Sequence, residues 1–386
     1  MKRLSISTPL SVLLVATLLV SASCVNGGNT NQQAGSGSGG PIKIGGLISA
    51  TGSGARWGEN SRKGIELAAQ EINQAGGIKG RQVQVLFEDT QTDPKTAVSA
   101  FRKLAEIDGV KACIADVISS DVLAVAPIAN EKRVPLISPG ASSPDITGAG
   151  DFIFRNWPSD ALQGGEAAKV AYERLGWRKA AIFYINNEYG KGLRQVFGQR
   201  YASLGGSVVA EEPFEQGGTD FKTSLLKLKN AGVDGVYLVG YPKEVPIIIK
   251  QSRELNFKTK FLGTESVEDP TVLQQAGSAA EGVIYLLPQA PNPDSGRAKS
   301  FRDAYRARYN EDPGVPADVA YDALYILKWA MEQAGDDGPQ VKDKLYGLKD
   351  WEGVSGVTTL DQNGDAIKPF DVKTVRNGAF AIYGGH

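Results

Sequence analysis

Apolar and polar positions along this chain switch repeatedly between two periods. Short apolar runs, of the length of a buried strand, alternate with longer stretches whose apolar residues fall three and four apart. The runs are IKIGGLI (42–48), VQVLFED (83–89), VKACIAD (110–116), VPLIS (134–138), AAIFYI (180–185), VDGVYLV (233–239) and KFLGT (260–264). Between Glu59 and Ala75, the spacing of Ile65, Ala68, Ala69 and Ile72 predicts a helix that Gly76-Gly77 stops. Asp93-Pro94 is an N-cap followed by proline at the first helical position, and opens the helix of TAVSAFRKLAE. Further helices are predicted over 159–175, 188–204, 219–230, 243–255, 296–309 and 317–334, and short strands over 353–381. Strands separated by helix-length segments make parallel sheets with right-handed crossovers. About ten strands are too many for one doubly wound sheet, so two α/β lobes are expected.

In such sheets the functional loops lie at the carboxyl ends of strands. Here those loops are 51–60, 89–94, 116–121, 138–145, 186–192, 240–244 and 264–269, rich in Ser, Gly, Tyr and acids. They suit a small polar solute, and none holds a nucleophile beside a base.

Before the first strand the chain has a different character. Lys2 and Arg3 precede an apolar run, Leu10 to Val20, and then the small residues Ser21-Ala22-Ser23. The run falls short of the roughly 20 residues that span a bilayer, and matches the apolar core of a signal peptide, 1–23. Cys24 follows at once, as in a bacterial lipobox, although Ser21 stands where Leu is usual. Such a Cys carries two acyl chains, enough for stable anchoring. Residues 25–40, VNGGNTNQQAGSGSGG, then read as a flexible tether from a lipidated Cys24 to the folded body.

Composition narrows the chemistry. Lys plus Arg is 42 and Asp plus Glu is 43, a net charge of −1, so nothing points to a nucleic-acid partner. The single His is the last residue, His386, and the two Cys are Cys24 and Cys113. A Ser-His-Asp or Cys-His pair, a zinc cluster and an iron–sulfur set are all disfavoured. Cys113, inside VKACIA, reads as a small core residue. The expectation is a protein that is not an enzyme and needs no cofactor or metal.

Several loop residues carry two readings each. A G-x-G-x-x-G match at Gly35, Gly37 and Gly40 lies in the tether and is spurious. TGSG at 51–54 does follow a strand, but Trp57 stands where the third Gly belongs. Trp57 either covers an organic ligand or packs locally as an exposed loop aromatic. Ser119 and Ser120 sit where a strand gives way to a helix, and either bind a carboxylate at the helix N-terminus or simply cap it. Ser142 and Ser143, before Pro144-Asp145, have the same ambiguity. Glu265 either pairs with an ammonium or is a solvated loop carboxylate. Tyr189 and Tyr241 either line a cleft or lie at the surface.

Five stretches, in order and spacing, carry a family resemblance: EINQAGGIKGRQVQVLFEDTQTDP (71–94), VPLISPGASSPDIT (134–147), NNEYGKGL (186–193), DFKTSLLKLKNAGVDGVYLVGY (220–241) and FLGTES (261–266). In these the chain resembles the branched-chain amino-acid binding proteins, periplasmic solute receptors of ABC importers. The resemblance runs from about Ile42 to the C-terminus. It implies the two-lobed α/β fold of the type I periplasmic binding proteins, each lobe a mainly parallel sheet flanked by helices. One lobe would hold 41–158 and 290–356, the other 159–289 and 357–386, with three crossovers forming a hinge that closes over the ligand. It further implies a monomer that hands its solute to ABC permease subunits.

Carried over by position, Ser119, with Ser120 beside it, binds the ligand carboxylate. Ser142 keeps a hydroxyl at the amino-acid backbone, next to Ala141, and the Gly140 carbonyl accepts from the ammonium. Glu265 pairs with that ammonium from the other lobe. Tyr189 and Tyr241 close over the ligand, and Trp57 covers its side chain. Thr92 and Ile118 stand at the positions of the family's disulfide. The segment 315–324 lacks the aromatic that some relatives place against the ligand side chain, and Asp116 or Asp318 near the pocket would favour a polar one. Leucine, isoleucine or valine leads, with alanine or a larger neutral amino acid second. A receptor for an amide, urea or aromatic acid, or a sensory module of the same fold, is the alternative.

Overall fold

Two mainly parallel sheets hold all the described strands but a small antiparallel pair, Trp351–Gly353 with Gly356–Thr358. The computed structural model describes residues 39–384, so the leader, Cys24, most of the tether and His386 lie outside the described residues. The first sheet has six strands in the spatial order Asp365–Ala366, Ile153–Pro158, Leu136–Ser138, Ala112–Ile114, Ile42–Ile48 and Val83–Asp89, all parallel. The second has seven, in the order Ala379–Ile382, Phe370–Arg376, Ile284–Pro288, Lys260–Gly263, Gly235–Val239, Lys179–Ile185 and Ser207–Phe214. Only Phe370–Arg376 is reversed there, pairing antiparallel both with Ile284–Pro288 and with its hairpin partner Ala379–Ile382. Left-handed Asn377-Gly378 makes the tight turn between them.

Central strands such as Gly235–Val239 are buried along their whole length, as continuous apolar runs require. Three strands lie where no such run marks them. Ser207–Phe214 is a sheet edge whose residues alternate in exposure. Ile153–Pro158 is buried throughout but contains Arg155 and Asn156. Arg155 is accommodated because Asp365 Oδ1 and Oδ2 accept from its Nε and Nη2 at 2.6 and 2.8 Å. Ile284–Pro288 pairs with both Lys260–Gly263 and Phe370–Arg376. Two helices, Pro270–Ala276 and Gly338–Leu345, also go beyond the sequence pattern. Elsewhere the agreement is close: Gly296–Tyr309 and Ala317–Ala334 have the expected bounds. Asp93 caps its helix by accepting from Thr96 N.

The chain passes between the sheets three times. It leaves the first after Pro158, returns after Pro288, and leaves again between Ala366 and Phe370. The last crossing falls later than residue 357. The Arg155–Asp365 pair holds Asp365–Ala366 against the first sheet, so this strand belongs there and not to the second lobe.

Cores lie on both faces of the first sheet, and a third surrounds the second. Trp57, Val117 and Ile118 come from the first lobe yet pack into the second lobe's core. Two polar links reinforce that contact. Gln216 Nε2 donates to the Thr92 carbonyl at 2.9 Å, and Arg56 lies 3.4 Å from Asp269. The lobes are therefore closed on one another. None of the described helices is long and apolar enough to cross a membrane.

Candidate functional site

The carboxyl ends of the strands from both sheets meet at the closed seam. On the first lobe, helix Ser119–Lys132 begins directly at Ser119. Its first N–H groups have no partner within the helix, and its N-terminus carries partial positive charge. The Ser119 hydroxyl oxygen accepts from the N–H groups of Ser142 and Ser143 at 3.2 and 3.1 Å. Its proton remains free to be donated. Ser138, which sequence reasoning did not single out, does the same one step earlier. Its Oγ accepts from Gly140 N and Ala141 N at 3.3 and 2.9 Å while donating to the Asp116 carbonyl. Two serines thus set the path of loop 138–143. The Ala141 side chain is sunk in the first lobe's core, which leaves only its backbone to face a ligand. A Cβ on Gly140 would meet Val117 at 2.9 Å, so this position takes no side chain.

The second lobe supplies carboxyls. Glu265 opens the short 3-10 turn after strand Lys260–Gly263 and is 5% exposed. Its Oε2 accepts from Gln163 Nε2 at 2.8 Å. Tyr189 Oη lies 3.1 Å from Glu265 Oε1 and 2.9 Å from Thr264 Oγ1, and its one proton serves one of them at a time. Burial raises the Glu265 carboxyl above its ordinary range, and the bonds from Gln163 and Tyr189 oppose that rise. Asp160, the first residue of helix Asp160–Lys169, is also buried. Burial, and then the charge of Glu265, push it well above the usual carboxylate value. Its Oδ2 accepts from the Ser142 hydroxyl at 3.0 Å, and its Oδ1 has no partner among the described residues. Two buried carboxyls therefore share one seam; neither lies within ion-pair distance of a cation among the described residues, and the charge of Arg155 acts on Asp160 from farther off.

Three aromatic rings close the seam. Trp57 lies in the first turn of helix Ala55–Gln74, which begins earlier than its apolar spacing suggests, and is 6% exposed. It meets Tyr241 edge-on at 5.2 Å between centroids, and Tyr241 stacks on Tyr189 at 5.8 Å. Asn187 Nδ2 donates to Tyr241 Oη at 2.8 Å. The reading of Trp57 as an exposed loop aromatic is thereby corrected, as is the surface reading of both tyrosines and the solvated reading of Glu265. Trp57, Gly140 and Glu265 line a narrow cleft, together with Val117, Trp157, Val315 and Pro316.

Of these four, only Trp157 lay outside the sequence reading, hidden in a strand that polar residues interrupt; Val117 falls in loop 116–121, and Val315-Pro316 begin the segment 315–324 that the family resemblance puts near the ligand side chain. Asp116 does not serve the cleft. Its carboxylate accepts from Thr90 Oγ1, from Ser49 Oγ at 2.8 Å and from Val117 N at 2.6 Å. Thr92 Oγ1 accepts from Gly54 N at 3.1 Å, and Ile118 approaches the same glycine, so this corner is packed without a disulfide. Cys113 is a free, buried thiol, and burial pushes its pKa up to about 12.

The arrangement is a closed clamp with hydroxyl and helix-end donors on one side and carboxyls on the other. A family model described as periplasmic binding protein matches residues 41–379. The chain belongs to the periplasmic binding protein family. Among its relatives, this binding protein is 31% identical over 346 residues to the "leucine-, isoleucine-, valine-, threonine-, and alanine-binding protein" of Pseudomonas aeruginosa, covering 89% of this chain and 90% of that one. It is 31% identical to the "Leu/Ile/Val-binding protein" of Escherichia coli K12, covering 86% of this chain and 89% of that one. Among solved structures, it superposes with a TM-score of 0.82 on the branched-chain amino acid transporter substrate binding protein of Streptococcus pneumoniae in complex with isoleucine, at 32% identity, covering 89% of this chain and 99% of that one. A leucine binding protein from Thermotoga maritima gives 0.83 at 29% identity, covering 89% and 98%. The two-lobed α/β fold expected from sequence is the fold of this binding protein.

Proposed function

We propose that this protein is the extracytoplasmic receptor of an ABC importer, and that it closes on a neutral α-amino acid with an aliphatic side chain. The observation that carries this reading is that the buried carboxyl of Glu265 has no cation within ion-pair distance among the described residues. Its side-chain partners are Gln163 and Tyr189, and an unpaired buried carboxylate is costly. A ligand ammonium supplies the missing charge. It would sit against Glu265, the Gly140 carbonyl and the Ser142 oxygen. The ligand carboxylate would face the Ser119 hydroxyl and the free N–H groups at Ser119 and Ser120. Trp57, Val117 and Pro316 offer an apolar surface to an aliphatic side chain, with Tyr189 and Tyr241 behind Trp57. Relatives named for leucine, isoleucine and valine support the same ligand class.

Closure is then the signal. Only a ligand with higher affinity for the closed state shifts the hinge, and a membrane permease reads the closed form. Lipid anchoring at Cys24, with 25–40 as tether, would keep the receptor beside that permease, and we take the receptor to act as a monomer. A Cys24→Ser protein found in the soluble fraction supports the anchor; one that stays on membranes removes it. The function itself is tested by calorimetry of the refolded protein against the twenty amino acids and a set of amides and aromatic acids. Binding confined to neutral α-amino acids, the aliphatic ones among them, is expected. Response to an amide or aromatic acid alone would discard it.

A further inference from the structure

Behind the ligand cleft lies a second, small hollow, and Trp157 and Val315 line both. It sits where the three crossings between the lobes converge. Trp157 belongs to the first, Pro288 and Gln289 to the second, and Lys368 to the third. Its lining carries two charged side chains, Lys368 and Asp318. Lys368 is buried, and its Nζ donates only to Ser355, to the carbonyl at 3.2 Å and to Oγ at 3.0 Å. No carboxylate of the described residues comes within ion-pair distance of it. Asp318 faces the same hollow, with one oxygen accepting from Val319 N at 2.9 Å. Neighbouring Asp322, to which Val354 N, Ser355 N and Ser355 Oγ donate, reaches Lys368 through Ser355 and by its charge, and does not line the hollow.

The wall between the two hollows carries an unmet donor. Trp157 is 4% exposed, and its indole Nε1–H has no acceptor among the described residues. A buried donor left without an acceptor is destabilising, so one is expected in the occupied protein. We propose that Trp157 and the hollow behind it form a side-chain subsite for a neutral hydrogen-bonding group, a hydroxyl or a carboxamide, on the amino acid held in the cleft. The proposal rests on the amino-acid receptor reading and extends its ligand class beyond aliphatic side chains.

The charge pattern selects neutral groups. An acidic side chain would face Asp318 and a basic one would face Lys368. A hydroxyl or carboxamide both donates and accepts, and so satisfies Trp157 or Lys368 on one side and Asp318 on the other. Discrimination follows from the same physics. An apolar pocket barely rejects an isostere that adds a hydroxyl, whereas a site built to bond a polar group disfavours the analogue lacking it.

The test uses isosteric pairs, threonine against valine and glutamine against methionine. Calorimetry gives the ratio of apolar to polar dissociation constants within each pair, for the natural protein and for Trp157→Phe. The ratio cancels any loss of affinity common to both ligands. At least one ratio should fall about fivefold or more in Trp157→Phe, as expected for losing one hydrogen bond to the ligand side chain. Smaller changes in both ratios would overturn the subsite. Should Trp157→Phe fail to fold, Asp318→Asn is read by the same criterion on the glutamine–methionine pair. If no α-amino acid binds the natural protein, the receptor reading fails, and this inference with it. Binding with unmoved ratios removes the inference alone.

Discussion

Ser142 and Asp160 hold each other by two hydrogen bonds: the Asp160 N–H donates to the Ser142 carbonyl at 2.8 Å, and the Ser142 hydroxyl donates to Asp160 Oδ2 at 3.0 Å. The pair joins the loop that follows a first-sheet strand to the first residue of the helix that leads into the second sheet. Because the Ser142 proton is engaged, its oxygen offers only lone pairs to the cleft, the polarity an ammonium needs. Ser142→Ala leaves Asp160 with both oxygens unbonded in a dry site. It should cost about 1–3 kcal/mol in urea unfolding and weaken amino-acid binding as well. An unchanged midpoint would show that the link carries no stability.

Glu265→Gln separates charge from shape. The amide keeps the size and retains a hydrogen-bonding oxygen, but removes the anion. Breaking a buried ion pair costs about 3–5 kcal/mol, so leucine affinity should fall more than a hundredfold. The unliganded protein should be no less stable, since it is relieved of a buried carboxylate. Leucine binding within tenfold of the natural protein would remove Glu265 from the ammonium.

Burial raises Glu265 and Asp160 above the ordinary carboxylate range in the folded protein. Groups raised in this way hold protons in the folded state that the unfolded chain has already released. Their contribution to stability therefore falls as pH rises from the ordinary carboxylate range through their raised values. Binding runs in the opposite direction. An ammonium favours ionised Glu265, so ligand binding should release protons at mildly acidic pH, and affinity should weaken as pH falls through the raised value. Calorimetry in buffers of different ionisation enthalpy counts those protons. A count of zero across the acidic range would contradict the assignment.

Arg155 is fully buried, and its charge is met by Asp365. Asp365→Ala would leave a guanidinium without its carboxylate, held only by the Ser143 carbonyl and Thr147 Oγ1. The expected loss is about 3–5 kcal/mol, read as a lower urea midpoint. A loss below about 1 kcal/mol would show that these remaining partners suffice.

Much of the scaffold was legible because buried parallel strands are continuous apolar runs. Gly235–Val239 and Lys179–Ile185 announce themselves that way. Ile153–Pro158 did not, because Arg155 is neutralised by a residue more than two hundred positions away, a pairing that local pattern cannot contain. The same distance explains the late third crossing, fixed by Asp365. In the site, Ser119, Gly140, Ser142, Tyr189, Tyr241, Glu265 and Trp57 were named from strand-end position and family resemblance, and the fold brings them to one seam. Ser138, Asp160 and Gln163 were not, because their work is to position those residues. Asp160 meets Ser142 only across the first crossing between sheets, and Gln163 meets Glu265 from 102 positions away.

The central claim is that the closed cleft recognises an α-ammonium through Glu265. It is tested most directly by titrating the refolded protein with leucine and with 4-methylpentanoic acid, which keeps the carboxylate and side chain and lacks the amine. Leucine should bind at least a hundredfold more tightly, the deaminated analogue leaving Glu265 buried and unpaired. Equal affinity for the two would contradict the account.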